Sequence, residues 1–171
     1  YALKQKKIWL ESQGQRGAYV EVTNSSFGVD RADCRSGTFP ARNDIYNEMG
    51  HAGILSAAAT ANQGWDIDAT GDVPTGCESE FLITVTNTTN TDNRNASAGW
   101  GTRTIDLGAP GTNIVSTYPN QQTRALTGTS MSTPHVAGAV AFVHSVASPQ
   151  LQEMTILNLK KAGEKAYNYT K

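Results

Sequence analysis

Thr127-Gly128-Thr129-Ser130-Met131-Ser132-Thr133-Pro134-His135-Val136-Ala137-Gly138 is the stretch on which the fold turns. Small residues form a turn, one serine stands at its end, and an apolar helix starts at once. Pro134 suits the first turn of such a helix, where its missing N–H is not needed. The predicted helix, residues 132–147, is apolar nearly all round, which predicts burial. A hydroxyl at a helix N-terminus sits where unsatisfied backbone N–H groups favour developing negative charge. An isolated serine in this position is usually only a cap.

Working outward, short apolar runs alternate with helical stretches. Ile54–Ala59 and Phe81–Thr86 read as strands buried on both faces. Residues 18–23 alternate as a strand, and short strands are predicted near 104–107 and 113–117. Helices are predicted over 2–13, with Leu3, Ile8 and Leu10 on one face, over 41–50 and over 150–166. Residues 29–39 and 64–80 read as loops. The alternation predicts an α/β fold, a parallel sheet flanked by helices, in a single domain over 1–171. Right-handed crossovers gather the strand carboxyl ends on one edge, where ligand sites of open sheets lie.

The composition narrows the function classes. Fourteen basic and fifteen acidic residues give a net charge of −1. No block of like charge points to nucleic acid or an anionic membrane. No apolar run approaches the roughly 20 residues that span a bilayer. Cys34 and Cys77 each sit in a polar loop. They form either a disulfide closing a loop of about 43 residues, in an oxidising compartment, or two free thiols. Asp66-Ile67-Asp68-Ala69-Thr70-Gly71-Asp72 spaces oxygen ligands like a calcium loop, but position twelve of that template is Cys77, not Glu. A solvated acidic loop is expected, with no metal and no cofactor. Asn-x-Ser/Thr sequons occur at Asn24, Asn87, Asn95 and Asn168.

The twelve-residue string closely resembles the nucleophile motif of the subtilisin-like serine proteases, the subtilases. The resemblance spans about residues 18–147. Asp106–Gly111 and Ile114–Thr117 resemble the family segment leading to the nucleophile. Ala57-Ala58-Ala59-Thr60-Ala61-Asn62 resembles its strand ending in Ala-Ala-Gly-Asn. Val22–Gly28 resembles its Asn-x-Ser-Leu-Gly strand. The resemblance implies a subtilisin-like fold, present only in part, and a polypeptide substrate. It implies Ser130 as nucleophile and Asn62 as the side-chain donor to the oxyanion. Ser26, Phe27 and Gly28 would present backbone to an extended peptide, as in strand addition. Ala59 and Ala61 would wall a specificity pocket. Phe27 and Ala61 depart from the family's usual Leu and Gly.

Subtilases order their triad Asp, His, Ser. The family's Asp-[Ser/Thr]-Gly and His-Gly-Thr settings do not occur in this sequence. His51 follows a helix, His135 lies within the nucleophile string where its counterpart in the family is structural, and His144 is two turns further along the same helix. The expectation is a piece of a longer product, with the catalytic Asp and His in an upstream half and the isolated chain inactive. The resemblance also implies a secreted or extracellular protein. The alternative is a catalytically inactive peptide-binding module on the same fold. An α/β-hydrolase would need Gly-x-Ser-x-Gly, which Ser130 does not occupy.

Overall fold

The computed structural model describes residues 1–34 and 39–146. The helix predicted over 150–166 and the sequon at Asn168 lie outside them. The sheet at the centre has four strands, all parallel, in the order β1 (Val22–Ser25), β3 (Leu55–Ala59), β5 (Leu82–Thr88), β6 (Leu107–Pro110). The register runs Val22 to Leu55, Ser56 to Leu82 and Val85 to Leu107. A ribbon of β2 (Val29–Asp30) and β4 (Asp72–Val73) and a hairpin of β7 (Ile114–Tyr118) and β8 (Gln122–Leu126) are antiparallel additions.

Every residue of β3 is buried, because the strand has helices on both sides. Leu55 and Ala57 join Ile83, Val85, Ala109, Val136, Ala137 and Val140 in one core. Ile54 and Ala58 join Leu3, Tyr46, Met49 and Leu82 in the other. The first core is closed by α4 (Thr129–Val146), which packs across all four strands. The second is closed by α1 (Ala2–Glu11) and α2 (Pro40–His51). This two-sided burial is why the strands read as apolar runs and not as alternations. Ser56, the polar exception inside β3, bonds the Thr23 hydroxyl of the next strand at 2.8 Å. Pro40 occupies the first turn of α2, its φ already fixed for a helix.

Several sequence expectations shift. The first strand lies at 22–25, not 18–23, because its partner β3 only begins at Leu55. On α1 the apolar face is Leu3 alone in the core, Leu10 being half exposed. Lys6 is buried and donates to the Gly53 carbonyl at 2.9 Å. The loops at 29–39 and 64–80 hold β2, a four-residue helix α3 (Ile67–Thr70) and β4. The last two predicted strands begin later, at Leu107 and Ile114, and β8 was not predicted. The helix expected to be buried all round is not: Phe142 is 67 % and Val146 68 % exposed. The sheet covers only one side of α4 among the described residues.

The acidic segment is not a solvated loop. The Asp66 side chain caps α3 by accepting from the Asp68 N–H at 3.0 Å. Asp68 gathers the turn at 102–104: the N–H and hydroxyl of Thr102 reach Oδ2 at 2.8 and 2.9 Å, and those of Thr104 reach Oδ1 at 3.0 and 2.8 Å. Burial alone would raise this carboxyl. The bonds from Thr104, Thr102 and Arg103 more than offset it and hold Asp68 below the usual carboxylate range. Asp72 is buried. Cys34 and Cys77 are joined in a disulfide with Cα atoms 5.0 Å apart, beyond the ends of β2 and β4. Asn87 is wholly buried inside β5 and accepts from Thr112, so no glycan fits there.

Candidate active site

The carboxyl edge of the sheet collects the residues singled out in the sequence. β1 runs into Ser26, β3 runs into Asn62, and α4 starts at Thr129 directly beyond β6. The last junction is tight. Gly128 N–H donates to the Gly111 carbonyl at 2.9 Å. A Cβ on Gly111 would collide with the Ser132 hydroxyl and come within 2.6 Å of Asn87 Oδ1. Only glycine lets the end of β6 approach the start of the helix so closely.

Ser130 lies in the first turn of α4, half-buried. Its Oγ donates to the Ser26 carbonyl at 3.3 Å, and Ser26 Oγ donates to the Ser130 carbonyl at 3.0 Å. This pair of bonds ties the end of β1 to the start of the helix across 104 residues. Asn62 is exposed, but its amide is fixed. Oδ1 accepts from the Thr129 N–H at 2.9 Å and from the Thr129 hydroxyl at 3.2 Å. The Thr129 hydroxyl also reaches the Thr60 carbonyl at 2.5 Å. With Oδ1 committed, the Nδ2 hydrogens are the part of the amide available to an incoming acceptor.

A cavity of about 260 Å³ opens beside this pair and shares its wall with both Ser130 and Asn62. Ala59 and Ala61, buried behind them, line it, as do Phe27 and Gly28. Gly28 is held against β4: a Cβ there would meet the Val73 carbonyl oxygen at 2.6 Å. Phe27 projects outward, 60 % exposed. Asp30 and Asp72, facing each other across the β2–β4 ribbon, complete the lining. Sequence reading missed both. The usable signal was an acid placed two residues before Pro74 in a segment crowded with Gly and Thr.

None of the three histidines serves Ser130. His135 Nδ1 bonds its own helix at the Met131 carbonyl, 2.8 Å away. His51 stacks edge-on to Phe81, with ring centroids 5.3 Å apart. His144 is buried near the far end of α4, Nδ1 3.4 Å from Glu21 Oε1. The described residues form no group of three or more metal-ligating side chains. None of their helices is long and apolar enough to cross a membrane.

A parallel sheet flanked by helices, with a serine at a helix start beside a fixed amide, defines an α/β protein with its candidate site on the carboxyl edge of the sheet. The chain belongs to the subtilase family (Peptidase_S8), whose match covers residues 3–166. It is 34 % identical over 144 residues to subtilisin-like protease 10 of Arthroderma benhamiae, covering 81 % of this chain and 25 % of that protein. It is 42 % identical over 96 residues to subtilisin-like protease 10 of Arthroderma otae, covering 54 % and 23 %. Among solved structures, a cold-adapted subtilisin-like serine proteinase superposes with a TM-score of 0.67 at 26 % identity, covering 93 % of this chain and 51 % of that one. A lanthipeptide protease shares the fold, with a TM-score of 0.67 at 20 % identity and coverage of 82 % and 50 %. The chain thus spans about a quarter of these curated relatives and about half of these solved chains.

Proposed function

We propose that this chain carries the nucleophile half of a subtilisin-like serine endopeptidase. Ser130 attacks the scissile carbonyl of a polypeptide, and the acyl-enzyme is then hydrolysed by water. Asn62 Nδ2 and the Ser130 backbone N–H receive the oxyanion. Ser26–Gly28 pairs with the extended substrate, and Ala59 and Ala61 wall the pocket for the residue before the cleaved bond. The observation that carries this reading is the Thr129–Asn62 contact. It leaves a rigid amide donor next to a hydroxyl at a helix N-terminus, as transition-state stabilisation requires.

The base comes from outside these 171 residues. A serine hydroxyl is weak without one, and the three histidines are committed elsewhere. The triad His and Asp are assigned to sequence preceding Tyr1, consistent with the quarter-length match to the relatives. The Cys34–Cys77 disulfide supports maturation in an oxidising, secretory compartment.

The test is covalent labelling of the full-length product with a fluorophosphonate. Native protein labels on the peptide containing Ser130, and Ser130→Ala abolishes labelling. Labelling that persists in the variant within this region overturns the nucleophile assignment. A native product that neither labels nor cleaves leaves the alternative, a peptide-binding module.

A further inference from the structure

The cavity beside Ser130 has an unusual floor for a pocket that would take one substrate side chain. Two carboxyls line it, that of Asp72 buried and that of Asp30 exposed. Asp72 is 1 % exposed, and Asp30 is its cross-strand partner in the β2–β4 ribbon. Both line the same cavity as Ser130 and Asn62. A substrate carbonyl held between Ser130 Oγ and the Asn62 amide carries its own side chain on the adjoining Cα, and this cavity adjoins that position. We propose that the pocket selects a cationic side chain, lysine or arginine, before the cleaved bond, with Asp72 and Asp30 as the specificity-determining residues. The proposal rests on the reading of Ser130 as the nucleophile.

The Asp72 carboxyl is built in, not incidental. Thr60 Oγ1 donates to Oδ2 at 3.3 Å, Thr75 Oγ1 donates to the same oxygen, and the Ala61 N–H supports the group. Oδ1 is the oxygen turned toward Gly28 on the cavity wall: a Cβ built on Gly28 would lie 3.6 Å from it. Both threonine hydroxyls thus reach Oδ2, and Oδ1 lies on the Gly28 side of the carboxyl. No lysine or arginine lines the cavity among the described residues. Arg31, next to Asp30 in sequence, is turned away, its guanidinium 4.2 Å from the Trp65 ring centre. Burial, with the Asp30 charge adding to it, pushes the Asp72 carboxyl up despite the threonine bonds. A guanidinium or ammonium between the two carboxyls would relieve both penalties, because paired charge is what a buried carboxylate lacks. An apolar side chain would leave them in place. The Cys34–Cys77 disulfide joins the segments that follow the two strands of the ribbon.

The experiment uses the full-length product and peptide substrates identical except at the residue before the cleaved bond: Arg, Lys, Leu, Phe or Glu. The expected result is a kcat/KM for Arg and Lys at least tenfold above Leu, with Glu poorest. Asp72→Asn lowers the Arg-over-Leu ratio by roughly a hundredfold, and Asp30→Asn lowers it by less, since Asp30 is exposed. A native preference for Leu or Phe overturns the proposal, as does an Arg-over-Leu ratio unchanged in both variants. If Asp72→Asn does not fold, the exposed Asp30→Asn still decides. Fluorophosphonate labelling of Ser130 is followed in parallel. A labelled, active enzyme with an apolar preference refutes the pocket alone, whereas cleavage that survives Ser130→Ala refutes the nucleophile reading itself.

Discussion

At the scale of single residues, the arrangement at Asn62 carries a sharp consequence. The Thr129 N–H holds the Asn62 Oδ1 at 2.9 Å, so the amide cannot flip without leaving that N–H unpaired. A donor fixed in advance costs no reorganisation when charge develops on the substrate oxygen. Asn62→Ala in the full-length enzyme is expected to lower kcat by about 10²–10³ with KM little changed, a size of loss taken from subtilisin. Steady-state kinetics on one good substrate measure it. An equal loss spread onto KM would mean Asn62 only binds the ground state. The sequence singled out Ser130 because its whole twelve-residue string resembles the family motif, and Asn62 because it ends a strand that resembles the family's despite Ala61 in place of Gly. Asp72 was not legible. An acid among Gly, Thr and Pro looks solvated, and only the β2–β4 pairing, two residues long on each side, puts it under the site.

Among the elements, strands buried on both faces were readable as apolar runs, whereas short ribbons were not. β8 reads Gln-Thr-Arg-Ala-Leu and is exposed along its whole length, so no periodicity announces it. The turn at 102–104 is likewise invisible in sequence, because what orders it is Asp68, 34 to 36 residues away. Asn at position 68 keeps one acceptor oxygen, but its NH₂ would face N–H donors. Asp68→Asn should therefore cost about 1.5–3 kcal/mol, the range for a hydrogen bond to a charged group. The pH dependence follows from the sign of the shift. The folded carboxyl lies below its ordinary value of about 3.9. Its contribution is therefore present above that pH and is lost as pH falls through the folded value. Thermal melts of the full-length product should show the gap between native and Asp68→Asn proteins widest at neutral pH and closing below about pH 4. A gap independent of pH would place the effect in packing instead of charge.

For the molecule as a whole, the fold class followed from alternation of helix and strand, but the surface it leaves bare did not. α4 reads as a buried helix because its sequence is apolar nearly all round, yet among the described residues only the side toward the sheet is covered. Ala139, Ala141, Phe142 and Val146 are exposed. An apolar cavity of about 270 Å³ lies between Leu107, Ala109 and the same helix at Val136 and Val140. Among the described residues β1 pairs only with β3, at the sheet edge opposite β6, and its outer strand edge is open. A helix face this apolar and an unpaired edge both call for more protein. The histidines call for it too, since none meets Ser130. The proposal that sequence preceding Tyr1 supplies the missing half therefore predicts two linked properties of the 171-residue chain expressed alone. It should self-associate, eluting larger than a monomer on size exclusion, and Phe142→Glu with Val146→Lys should shift it toward monomer. Its peptidase activity should stay at background in every state, because loss of the triad His and Asp together costs on the order of 10⁶ in turnover. Co-expression with the preceding segment should restore labelling of Ser130 and suppress self-association at once, since the same segment covers α4 and brings the base. Robust turnover by the isolated chain would refute the missing base. A monodisperse, inactive chain that the preceding segment fails to activate would refute the assignment of that segment to the bare face.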